Sequence, residues 1–222
     1  MRNSIMIGLG LVALAGQAAA AQDSFGGGYP AAPGAQPAPA TTPQPAARPG
    51  PAAQPAAAPG GTADLDRLMA VERQDFGIKA SADLHTGPMH APTPTTIPGG
   101  QVITTKGLVP LLANPQLGAL LFDILGGQEV IPGARPAAPA AQAGTFTDRT
   151  QQEFGNYLQS VTQGNKDVPL VFYCLSSHCW MSYNASLRAI QMGYKNVLWY
   201  RGGIEAWKAA GQQTQQVGEK SR

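Results

Sequence analysis

LVFYCLSSHCWMSYNASLRAI, residues 170–190, passes from an apolar run through a short polar loop into a helix. VPLVFYC, residues 168–174, has the continuous apolar character of a strand buried on both faces. Trp180, Tyr183, Leu187 and Ile190 then recur at steps of three, four and three, predicting a helix with one apolar side that Gly193 closes. Strand, loop and helix in that order put Cys174 at a strand end, where open α/β sheets bind their ligands. Cys174 and Cys179, at the two ends of the loop, are the chain's only two cysteines.

Further strands and helices alternate around this segment. QVITT (101–105) reads as a short strand, LVPLLANP (108–115) as a helical turn or two stopped by Pro115, and GALLFDIL (118–125) as a second buried strand containing Asp123. GGQEVIPGARPAA (126–138) reads as loop. Residues 145–163 carry Phe154, Tyr157, Leu158 and Val161 at helical spacing, with Thr147 or Asp148 as the N-terminal cap. KNVLWY (195–200) is a third buried strand, RGG a tight turn, and IEAWKAAG (204–211) a short helix that Gly211 ends. Such alternation predicts an α/β fold: a central parallel sheet with helices on both faces.

The N-terminal end bears on compartment. Arg2, an apolar run and A-x-A-type small residues make residues 1–21 an expected export signal, so the mature protein is expected to be periplasmic or secreted, without stable membrane insertion after cleavage. Residues 22–61 alternate proline and alanine with few large apolar side chains, and are expected to be a disordered tether. Residues 62–100 form an N-terminal extension with a short helix near 63–74 and then loop, 101–212 the domain, and 213–222 a tail. His85, Met89 and His90 in the extension lack metal-ligand spacing and are taken as incidental. Fifteen Lys+Arg against 13 Asp+Glu give a net charge of +2 with no basic run, which argues against a nucleic-acid partner.

A cysteine seated between a strand end and a helix N-terminus can be faced by main-chain N–H groups. The amides of residues 175–179 are expected to form an anion cradle that favours the Cys174 thiolate or a persulfide carried on it. Leu175, Ser176, Ser177, His178 and Trp180 are the loop's candidate substrate contacts, Trp180 having packing beneath the loop as its blander role. Asp123 either supports the loop or caps its own turn. Arg201, just after the third strand, is a candidate cation for the pocket.

These features together resemble the rhodanese, or sulfurtransferase, domain. LLFDIL with Asp123, EVIPGA (129–134), VFYC before a loop and helix, and GYKNVLWYRGGIEAWKAAG occur in that family's order. The resemblance implies that Cys174 is the nucleophile, taking sulfane sulfur from a small donor and passing it to an acceptor without a cofactor. The loop departs from the family pattern: Ser177 stands where a glycine is usual and Cys179 where a basic residue is usual, leaving His178 as the loop's potential cation. CLSSHCW further resembles exported proteins with a paired-cysteine-tryptophan motif that are associated with pyrroloquinoline-quinone-dependent alcohol catabolism, which implies a periplasmic redox partner.

The cysteine pair admits several chemistries. Cys174 carries a persulfide that Cys179 resolves; or the two form a dithiol/disulfide redox centre for a quinone-dependent dehydrogenase system; or they bind Cu(I) with His178 or Met181. A bare structural disulfide and a non-catalytic module docking the dehydrogenase system are the remaining readings, and the disulfide closes too short a loop to restrain much chain entropy. Haem attachment is excluded because the string C-x-x-C-H is absent.

Overall fold

The computed structural model describes residues 62–218. The expected export signal (1–21), the Pro/Ala segment (22–61) and the end of the expected tail (219–222) lie outside the described residues. In chain order the elements are α1 (Thr62–Glu72), β1 (Gln101–Ile103), α2 (Thr105–Ala113), β2 (Leu120–Asp123), β3 (Glu129–Val130), β4 (Arg135–Pro136), α3 (Arg149–Thr162), β5 (Leu170–Tyr173), α4 (Met181–Gln191), β6 (Val197–Tyr200), α5 (Gly203–Ala209) and β7 (Gln215–Gln216). No helix among the described residues is long and apolar enough to cross a membrane.

Five strands pair in the order β1-β6-β5-β2-β4, every pairing parallel. The central strand is β5, and all four of its residues are buried. Its side chains alternate between two cores, as the period of a strand requires. Leu170 and Phe172 join Phe122 beneath Phe154, Leu158 and Ala185 of α3 and α4. Val171 and Tyr173 join Leu121 against Leu108, Ile204 and Trp207 of α2 and α5. Helices therefore cover both faces, as the apolar runs predict.

Asp148 is the cap of α3, its carboxylate accepting from Gln151 N–H at 2.7 Å. The same carboxylate holds the buried Arg188 of α4 at 2.9 and 3.0 Å. The expected loop 126–138 contains two short strands, β4 extending the main sheet and β3 pairing antiparallel with β7. The expected tail thus enters the structure, and the Trp207 indole N–H also donates to the Gln213 carbonyl.

The sequence motifs do not indicate where the extension packs. After α1, residues 73–97 run without regular structure across the outer side of α4 and the loop before it. Trp180 N–H donates to the Met89 carbonyl at 2.8 Å and the Trp180 indole to the Pro92 carbonyl at 3.0 Å. Asn184 exchanges a pair of amide hydrogen bonds with the backbone of His85 and donates a third to the Ala141 carbonyl, and the Tyr183 hydroxyl donates to the Ser81 carbonyl. This strap buries the side of α4 that the sheet does not, and every residue from Ser182 to Ala189 is buried. The stripe of Trp180, Tyr183 and Leu187 packs with Leu84, Ile97 and Trp199 in a third core cluster under the strap.

Candidate functional site

Cys174 immediately follows β5, and the loop to α4 returns the chain so that Cys179 meets it. The two are joined as a disulfide, with Cα atoms 6.4 Å apart, inside the range a disulfide can span. Both residues are buried, at 1% and 0% exposure. Around them lie Phe122, Phe172 and small alanines of α4, an apolar setting.

The polar neighbours of the Cys174 sulfur differ from the expected cradle. Among the described residues they are the Cys179 carbonyl oxygen at 3.3 Å and the Ser182 hydroxyl at 3.1 Å, not the amides of residues 175–179. The reason is local: bringing Cys179 onto Cys174 turns the Cys179 carbonyl toward the sulfur, and the N–H that begins α4, that of Trp180, is taken by Met89. In the disulfide no proton resides on sulfur, so Ser182 is the donor.

Two structures fasten the loop. The first is the N-terminus of α5: Ile204 N–H donates to the Cys174 carbonyl and Glu205 N–H to the Leu175 carbonyl, both at 3.0 Å. The second is the strap, where Thr93 donates its hydroxyl at 2.7 Å and its N–H at 3.2 Å to the Ser177 carbonyl. Arg201 completes that attachment. It is buried, with Nε and Nη2 each 3.0 Å from Thr93 oxygens and Nη1 donating to the Glu72 carbonyl. The expected role of Arg201 as a pocket-facing cation is therefore corrected: its guanidinium is spent on main-chain carbonyls and Thr93, beneath the Phe76 ring. Burial lowers its pKa from the ordinary arginine value. Glu72 sits beside it, its carboxylate accepting from Thr105 N–H and hydroxyl, and desolvation raises its pKa.

The other candidate residues separate. Leu175 lines a cleft of about 470 Å³ with Leu125, Gln128, Ile204 and Lys208, whereas Ser176 and Ser177 line a smaller one of about 190 Å³ with Leu68, Val71 and Gly202. His178 is exposed and packs on Phe76, ring centroids 4.6 Å apart. Trp180 is buried, stacked on His85 at 4.0 Å and 7°, so its packing role is the one the structure displays. Asp123 accepts from Leu125 and Gly126 N–H, which makes it a cap of the turn after β2.

Ser182 is the neighbour of Cys174 that the sequence motifs do not single out, and Glu72, Phe76 and Thr93 are others around the loop. The available signal was the run of small polar residues Ser182, Asn184 and Ser186 on a helix whose stripe of Tyr183 and Leu187 marks it for burial, since buried polar groups need partners. For the copper reading, the pair here is oxidised, and among the described residues no three or more His, Cys, Asp or Glu side chains are grouped to hold a metal ion.

A family model for the rhodanese-like domain matches residues 119–210. No curated protein matches the chain. The match takes in β2, the cysteine loop after β5, α4 and α5. With its parallel five-stranded sheet and a cysteine at the end of the central strand, the chain carries a rhodanese-like domain, matched over residues 119–210.

Proposed function

We propose that this domain, of sulfurtransferase or related type, carries sulfane sulfur on reduced Cys174 and that Cys179 resolves the persulfide. The observation behind this reading is the contact of the two sulfurs across the loop, with Cα atoms 6.4 Å apart. Loading follows ordinary thiolate chemistry: Cys174–S⁻ attacks the outer sulfur of R–S–S⁻, forming Cys174–S–S⁻ and releasing R–S⁻. The Cys179 thiol then attacks the inner sulfur, forming the Cys174–Cys179 disulfide and expelling HS⁻. An external dithiol, itself oxidised to a disulfide, returns both cysteines to thiols. Because both sulfurs are buried in the disulfide, loading belongs to the reduced form. We extend the proposal to export and to a redox protein of a periplasmic quinone-dependent dehydrogenase system as the source of that dithiol.

A second reading, a dithiol/disulfide module without sulfur transfer, is favoured by one observation: Arg201 is committed to the strap, so it holds no anionic donor. Intact mass separates the two. After reduction and exposure to a sulfane donor, Cys179→Ser is expected to gain one sulfur and keep it, the native chain to release sulfide and lose two hydrogens, and Cys174→Ser to gain nothing. Sulfur gained by Cys174→Ser, or none gained by Cys179→Ser, sinks the sulfur-carrier reading.

A further inference from the structure

The sulfurs of the pair have unequal surroundings. Cys174 Sγ has the Ser182 hydroxyl at 3.1 Å, while among the described residues Cys179 Sγ has no hydrogen-bond partner. Ser182 is itself oriented. The Trp199 indole, a donor only, lies 3.0 Å from Ser182 Oγ and occupies a lone pair of that oxygen. The hydroxyl proton is thereby left to point at Cys174. The arrangement is a directed chain, Trp199 Nε1–H to Ser182 Oγ–H to Cys174 Sγ, wholly buried. Hydrogen bonds in such a series strengthen one another, and they gain most when the last acceptor is charged.

We infer that Ser182, oriented by Trp199, is a catalytic residue that selects Cys174 over Cys179 as the thiolate of the reduced pair. This rests on the reading above only in taking Cys174 as the reacting sulfur. Other charged groups on the packed elements do not supply the same effect. Asp123, at the end of β2, accepts main-chain N–H bonds; Arg201, after β6, is bound to Thr93 and Glu72; Arg188, on α4, is bound to Asp148. The Cys179 carbonyl at 3.3 Å opposes the thiolate, and the hydroxyl is the donor that answers it.

The test uses the full chain carrying Cys179→Ala, so that Cys174 is its single thiol, and needs no sulfur donor. Thiolate absorbance against pH is expected to show that Ser182→Ala lowers the acid dissociation constant of Cys174 about tenfold. Ser186→Ala, which removes a hydroxyl bonded to the Ser182 carbonyl but not to sulfur, is expected to leave that constant unchanged. A Cys174 constant that does not fall in Ser182→Ala, or falls equally in Ser186→Ala, overturns the inference. A second measurement needs no Ser182 variant: the indole N–H resonance of Trp199 is expected to titrate with Cys174. Those of Trp180 and Trp207, which donate to the Pro92 and Gln213 carbonyls, are expected not to. A Trp199 signal indifferent to thiol ionisation overturns the inference equally. Sulfur loading can fail while these shifts appear, and the shifts can fail while loading proceeds, so the two readings stand or fall separately.

Discussion

Gly203 has φ of +64°, and a Cβ there would run into the carbonyl groups of Leu175 and Cys174. The same two carbonyls accept the first free N–H groups of α5, so the close approach and the hydrogen bonds require one another. Gly203→Ala is expected to cost about 2 kcal/mol or more, since a left-handed backbone and a backbone clash coincide; a urea unfolding curve measures it. Arg201 makes the complementary attachment on the other side of the loop. Arg201→Met is expected to cost about 3 kcal/mol by leaving buried carbonyls of Glu72 and Thr93 without donors, and to render residues 73–97 cleavable by a protease at a concentration that spares the native chain. The cysteines themselves were plain in the sequence as a reactive pair. The Ser182 contact was not, because it depends on which side of α4 turns toward β5, and the aromatic stripe advertises the opposite side.

At the level of elements, β5, β2, β6 and the helices between them could be read from apolar runs and helical spacing, because their burial is written in side chains. The strap could not. Its attachments run largely through main-chain carbonyls, those of Met89, Pro92, Ser81 and His85, and any residue type supplies a carbonyl. Its side of α4 gave the one available hint: Trp180, Tyr183 and Leu187 need cover, and the sheet already has Ala185 and Ala189. A helix apolar or small all round is a buried helix. Removing residues 1–97 is therefore expected to expose Trp180 and Tyr183, shift tryptophan emission to the red, and lower the unfolding temperature by several degrees, about 2–4 °C for each kcal/mol lost in a domain of this size. Emission and melting equal to those of the native chain would show that the strap does not hold α4.

For the whole molecule, acid stability follows from two carboxylates of opposite tendency. Asp148 is held down to about 2, chiefly by its hydrogen bond to Arg188. A depressed folded value contributes stability above the ordinary carboxylate range, and that contribution is lost as the pH falls through that range toward about 2. Glu72 has the reverse sign: burial raises its folded value, so its ionised form costs stability at neutral pH and the cost disappears on acidification. Unfolding free energy measured from pH 7 downward is expected to fall less steeply in Asp148→Asn and more steeply in Glu72→Gln. Asp148→Asn is also expected to lower stability at pH 7 by about 3 kcal/mol, because Arg188 loses its charged partner while buried. The family match, residues 119–210, contains both cysteines and Ser182 but not the strap, β1 or α2.

Chain order gives the strap a calendar. Synthesis proceeds from the N-terminus, so Pro92 exists well before the indole it will hold, 88 residues further on. Both thiols arrive only at the end of that interval, so an oxidant can reach them in the open before the earlier-made chain lies down over the loop that joins them.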